Sequence, residues 1–143
     1  FACINVELRC MGKKQEYKLR NEEFLHNISK KDSIKTLPHG IFYEIIKEGS
    51  GEGKVTARSI VTCHYRGSLI TGKVFDDSWQ RGIPEAFRVN ELITGFQTVL
   101  LAMHKGDHWR VYIPYQAGYG TKRDGAIPAF STLIFEIELF DIG

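Results

Sequence analysis

Hydrophobic and polar residues alternate most clearly at the start of residues 60–78, where Val61, Cys63 and Tyr65 face one way and Thr62, His64 and Arg66 the other. A period of two is the mark of a strand with one buried face. Gly67 then allows a backbone course that other residues resist, Thr71 and Gly72 supply a turn, and the chain returns through Val74 and Phe75 into Asp76 and Asp77. Neighbours on a strand point to opposite faces. Phe75 and Asp76 are therefore expected to share a face only where a bulge interrupts the pleat.

Alternation recurs in residues 2–10, with Ala2, Ile4, Val6, Leu8 and Cys10 on one side. It predicts an amphipathic strand that adds to the sheet edge, hangs as a loose arm, or pairs with a second copy of the chain to give a homodimer. Asn21 is expected to cap a short helix with Glu22 and Glu23 in its first turn and Phe24, Leu25 and Ile28 along one stripe. Residues 36–40 read as a turn and residues 41–46 as a strand entering the core. The glycine-rich residues 49–53 lack the Gly-Lys-Ser/Thr ending and the following helix of a phosphate-binding loop, so they read as a plain connection.

Residues 79–84 look like a loop, and Phe87, Val89, Leu92 and Ile93 resume an apolar pattern. Phe96, Val99, Leu100 and Met103 then recur at helical spacing, with Gly95 before them and Gly106 as the expected stop. Trp109, Val111 and Ile113 alternate as another strand. After a loop rich in glycine, Leu133, Phe135, Ile137 and Leu139 form the last one. Many strands and one central helix predict an α+β fold in which an antiparallel sheet wraps that helix. Residues 35–143 are expected to form this domain, and residues 1–34 an N-terminal arm.

The composition narrows the chemistry. With 143 residues, 43% hydrophobic and 25% charged, the chain holds one ordinary core. A net charge of +2, with Lys and Arg dispersed along the sequence, is too small to suggest a nucleic-acid footprint or a membrane-surface patch. No apolar run approaches the roughly 18 residues of a membrane span. Cys3, Cys10 and Cys63 contain no close pair, which argues against a metal site, and Cys63 is expected to act as a small buried hydrophobe. Gly106 and Asp107 separate His104 from His108 and break the helix that would align them as metal ligands. The chain has no Gly-x-Ser-x-Gly elbow, and Asp76 and Asp77 diverge on a strand, so neither a hydrolase nucleophile nor a general acid–base couple is indicated.

What remains is a set of aromatic residues at strand ends and in the loops beside them: Tyr65, Phe75, Phe87, Phe96, Tyr119 and Phe135. Ordinary core packing is one reading of them. Two features favour a pocket instead. Tyr119 lies between Gly118 and Gly120, and Asp76 brings a carboxylate beside apolar Phe75, which is costly without a hydrogen-bonding task.

The order Val61, Thr62, Cys63, His64, Tyr65, Arg66, Gly67, Ser68, Leu69, then Gly72, Phe75, Asp76 and Ser78, resembles the FKBP-type peptidyl-prolyl cis-trans isomerases. Arg81, Gly82, Pro84, Leu92, Ile93, Gly95, Gly106, Asp107, residues 117–120 and residues 127–139 continue it. With Thr36, Leu37, Pro38, Gly40 and Tyr43, the series is most similar to the bacterial branch of macrophage infectivity potentiator proteins. The resemblance implies a half-barrel of antiparallel strands around the Phe96 helix. Tyr65, Asp76 and Tyr119 would be its catalytic residues, and Phe75, Phe87, Leu92, Ile93, Phe96, Ile127 and Phe135 would bind the substrate. It also implies proline-containing polypeptides as substrates and macrolides of the FK506 and rapamycin type as ligands.

Rotation about an X-Pro bond needs no nucleophile, cofactor or metal, because a dry pocket that favours the twisted amide suffices. A chaperone-like module that binds prolyl peptides with weak turnover is the alternative. Phe96 stands where the family usually has Trp, Phe130 occupies a rim position that is usually polar, and Gly118 replaces the commoner Ala. The bacterial branch and the opening Phe1 lean towards the cell envelope, whereas unpaired cysteines lean towards a reducing compartment such as the cytoplasm.

Overall fold

In the computed structural model, which describes residues 12–143, the alternating run becomes the strand on which the sheet is assembled. That strand, β3 (Ile60–Ser68), buries Val61, Cys63, Tyr65 and Gly67 and turns the residues between them outward. Strands β1 (Lys35–Leu37), β2 (Ile41–Lys47), β4 (Val74–Asp77), β5 (Glu85–Arg88), β6 (His108–Ile113) and β7 (Leu133–Ile142) complete a seven-stranded sheet. Its order is β1-β2-β6-β7-β3-β4, every pairing is antiparallel, and β5 pairs β3 beside β4. One edge of β3 is thus divided: β5 takes residues from Ile60 to Cys63 and β4 takes those from Arg66 to Ser68. The amphipathic run of residues 2–10 lies outside the described residues.

The core forms where the apolar face of the sheet meets the helical stripe read from the sequence. Helix α3 (Thr94–Ala102; α1 and α2 are placed below) buries Phe96, Val99 and Leu100. Its Gly95 lies so close to β6 that a Cβ there would fall 2.4 Å from Ile113 Cγ2. The helix therefore includes Gly95 and stops earlier than Gly106. Met103 is already extended, with φ −86° and ψ 157°, which turns its side chain into the core at 1% exposure. Gly106 instead takes φ +88° in the turn that follows.

Three other expectations change. Residues 36–40 are not wholly a turn, because Leu37 pairs with Ile41 at the end of β1 and only Pro38–Gly40 forms a 3-10 turn. The region read as a loop after Asp77 opens with one helical turn, α2 (Ser78–Arg81), whose Gln80 N–H donates to Asp77 Oδ1 at 3.2 Å. Asn21 does not start a helix. It sits inside α1 (Lys13–Ser29) at 1% exposure, where its amide donates to the Tyr17 carbonyl at 2.8 Å and its Oδ1 accepts the Thr132 N–H at 2.7 Å. A helix this polar docks through specific bonds rather than a broad apolar stripe: the hydroxyls of Tyr17 and Ser131 lie 2.8 Å apart, and Phe24 packs 6.0 Å from Tyr112.

Candidate active site

The site begins with an irregularity between β3 and β4. Arg66 faces Asp77 and Gly67 faces Asp76, but Ser68 faces Val74, so Phe75 is an extra residue on β4. This is a β-bulge, the one arrangement in which Phe75 and Asp76 reach the same cavity. Gly67 is required there for space rather than for backbone freedom. A Cβ at Gly67 would lie 2.5 Å from Phe75 Cζ and 2.7 Å from Phe135 Cε1, so the two rings close over its bare α-carbon. Asp77 leaves the site, caps α2, and lies 3.8 Å from Arg66.

Asp76 anchors a three-residue network. The Tyr65 hydroxyl donates to Asp76 Oδ2 at 2.5 Å, Arg81 Nη1 donates to Asp76 Oδ1 at 2.5 Å, and Arg81 Nη2 donates to the Tyr65 hydroxyl at 3.1 Å. Arg81 also reaches Glu85 Oε1 at 3.3 Å. Burial pulls the Asp76 pKa upward, but the bonds from Tyr65 and Arg81 and the guanidinium charge outweigh it, leaving the carboxyl below its ordinary value. Burial, then the bond to Asp76, pushes the Tyr65 phenol up to about 12. Asp76 is therefore an ionised acceptor with its oxygens engaged, an arrangement suited to orienting Tyr65 and unsuited to passing protons.

Above this network the aromatic rings meet edge-on. Phe96, on the first turn of α3, lies 5.1 Å from Phe135 at 80°, 6.1 Å from Tyr65 at 89°, and 6.1 Å from Phe87 at 63°. Phe75 meets Phe135 at 5.7 Å and 87°. Edge-to-face contacts of this kind hold rings more specifically than area burial alone. They line an open cavity of about 220 Å³ to which Leu92, Ile93, Glu91 and Tyr119 also contribute. That is smaller than the roughly 300–1,000 Å³ of sites enclosing a drug-sized ligand, and it suits one small ring. Tyr119, at 37% exposure, stands at the mouth, and its hydroxyl makes no hydrogen bond among the described residues. Burial and the charges of Asp124 and Asp76 raise its pKa, which keeps the phenol a neutral donor.

The family model of the FKBP-type peptidyl-prolyl cis-trans isomerases matches residues 51–140. The chain belongs to that family. It is 43% identical over 112 residues to the macrophage infectivity potentiator of Trypanosoma cruzi, covering 78% of this chain and 57% of that one. The crystal structure of FkpA from Escherichia coli superposes with a TM-score of 0.85 at 30% identity, covering 96% of this chain and 63% of that one. A peptidyl-prolyl cis-trans isomerase from Pseudomonas syringae superposes with a TM-score of 0.84 at 32% identity, covering 93% and 98%. The chain spans about half the length of the curated relatives it matches.

Within this FKBP-type domain, Tyr65, Phe75, Asp76, Phe87, Leu92, Ile93, Phe96, Tyr119 and Phe135 all line the one cavity, whereas Ile127 does not. Ile127 is 6% exposed and packs in the hydrophobic core, its backbone bridged to Asp124. Phe130 is not among the lining residues either. With φ at 65°, it meets Tyr115 at 5.0 Å and lies beneath the ammonium groups of Lys14 and Lys18, at 5.6 and 5.2 Å. Sequence reasoning noted Arg81 without a role and passed over Glu91 as a wall residue. An Arg five residues after Asp76 was the available signal for the first. Among the described residues, no group of three or more His, Cys, Asp and Glu side chains converges on a metal position, and no helix is long and apolar enough to cross a membrane.

Proposed function

We propose that this chain accelerates cis-trans rotation of X-Pro bonds in polypeptides, without covalent chemistry. The observation that carries the reading is the half-open aromatic cavity with a phenol at its mouth that has no partner among the described residues and a hydrogen-bonded carboxylate in its wall. Rotation is slow because twisting the amide breaks its resonance, a barrier of ~18–20 kcal/mol. The twisted amide is less charge-separated than the planar one, so a dry apolar wall favours it relative to water. Phe75, Phe87, Phe96 and Phe135, with Leu92 and Ile93, grip the prolyl ring, and Ile127 supports this wall from the core. Tyr119 donates to the substrate carbonyl, a neutral bond worth about 1 kcal/mol. Asp76 and Tyr65 keep the wall in place through Arg81.

The isomerase unit comprises residues 35–143 in this reading. Macrolides of the FK506 and rapamycin type occupy the same cavity with a small part of their surface, as its size requires. An exchange assay by NMR on Leu-Pro and Phe-Pro peptides tests the proposal. Acceleration that falls in Tyr119→Phe supports it, and no acceleration by the unmodified chain overturns it. A homodimer through residues 1–34 is a separate proposal, tested by light scattering on a chain beginning after Gly12; an unchanged mass on truncation rejects it.

A further inference from the structure

A second concave surface is formed between α1 and the loop that carries Tyr119. It is a groove of about 540 Å³ lined by Lys13, Lys14 and Tyr17 from α1 and by Arg123, Pro128 and Ala129 from the loop. Its floor is apolar and its charges are of one sign. Lys18, over the Phe130 ring, adds a further ammonium beside it. No carboxylate among the described residues lies within ion-pair distance of Lys13, Lys14, Lys18 or Arg123. Glu16, the acid in the first turn of α1, bonds Arg20 at 2.7 Å.

The loop is held in shape. Phe130 N–H donates to Gly120 O at 3.0 Å across its base, and Asp124 N–H donates to Ile127 O at 2.9 Å near its tip. Tyr119 in the cavity wall and Arg123 in the groove wall are four residues apart in sequence, so about 14 Å is the most the backbone can put between them. An extended peptide covers that in about four residues.

We propose that the groove is an extended-substrate subsite that takes acidic residues of the polypeptide within about four positions of the prolyl bond. The inference rests on the isomerase reading and deepens it by assigning a charge preference to the substrate. The short span of one loop between Tyr119 and Arg123 favours a polypeptide, which can engage both, over other polyanions. The apolar floor of Pro128, Ala129 and Tyr17 receives the extended chain, while Lys13, Lys14 and Arg123 meet its carboxylates.

The test compares one short peptide, Ala-Leu-Pro-Phe, with longer peptides that carry an Asp/Glu block or a Lys block about four residues to either side of the proline. At low salt the acid-block peptide is expected to show a kcat/KM about fivefold above the Lys-block peptide on one flank, since several exposed charges act together. The gap closes as salt shortens the screening length to about 3 Å at 1 M. Lys14→Glu combined with Arg123→Glu reverses the preference, and Lys14→Gln with Arg123→Gln abolishes it. Lys54→Glu, in the loop between β2 and β3 and equal in net charge change to the double Gln variant, retains it. Equal kcat/KM for both blocks on both flanks overturns the subsite while leaving the isomerase intact, as does a preference that survives the double reversal. If the short peptide is not accelerated, the isomerase reading fails instead. Fluorescence anisotropy with the acid-block peptide then decides the groove: charge-selective binding supports it and none rejects it. Tighter binding of a duplex oligonucleotide that the double reversal abolishes overturns the polypeptide assignment.

Discussion

β6 and β7 pair through six residues without interruption, from His108 opposite Glu138 to Ile113 opposite Leu133, whereas β3 and β4 slip after two. The regular pair obeys strict alternation, so each strand offers the helix only every second side chain. Trp109, Val111 and Ile113 on β6, with Leu133, Phe135, Ile137 and Leu139 on β7, pack there and form the core. The interrupted pair breaks the alternation and presents Phe75 and Asp76, consecutive in sequence, to one cavity. A ring and a carboxylate from adjacent positions thereby share one cavity, which strict alternation does not allow. Regular pairing here builds the core, and the bulge adds Phe75 and Asp76 to a cavity that Phe135 of the regular pair also lines.

The comparison can be broken from either side. Ile137, fully buried in the regular half, should matter most for stability: Ile137→Ala is expected to cost about 2–5 kcal/mol in urea unfolding, with kcat/KM per folded molecule near that of the parent. A large loss of intrinsic activity would show that the halves are not separate. Gly67→Ala comes next, because its Cβ must displace Phe75 and Phe135. About 1–3 kcal/mol of stability is expected to go, together with about tenfold or more in kcat/KM as the cavity wall shifts. Retention of full activity would show that the rings need not lie where they do.

Asp76→Asn is expected to have a smaller effect on stability, under about 1 kcal/mol at pH 7, because Asp76 and Arg81 are well exposed and their attraction is screened. The sign follows from the depressed pKa of Asp76. Its contribution is complete above the unfolded carboxyl value of about 3.9 and is lost as pH falls through the lower folded value. Urea midpoints of the two proteins should therefore converge on acidification; a widening gap would exclude the network as the cause. Tyr119→Phe should leave stability unchanged and lower kcat/KM about fivefold, the equivalent of one neutral hydrogen bond. An unchanged rate would remove Tyr119 from the proposed reaction.

Much of this was legible in the residues because period-two and helical periodicities are local properties. They mark β3, β6, β7 and α3 without reference to any partner, and the motif order adds the aromatic set that meets at the cavity. Even the need for a bulge followed from Phe75 and Asp76 being adjacent. The pairing partner was another matter. That Gly67 is bare to admit two rings, one from β4 and one from β7, depends on strands far apart in sequence. The same holds for Asn21. A polar residue before two glutamates reads as a cap, and only the Thr132 N–H, 111 residues away, makes it a buried anchor of α1. Ile127 and Phe130 were placed at the site by family resemblance, and in the fold one packs in the core and the other lies beneath two lysines of α1. Which residues alternate is written along the chain. Which side chain each one meets was decided by packing, since the energy of a close contact or a buried hydrogen bond belongs to a pair and not to either residue alone.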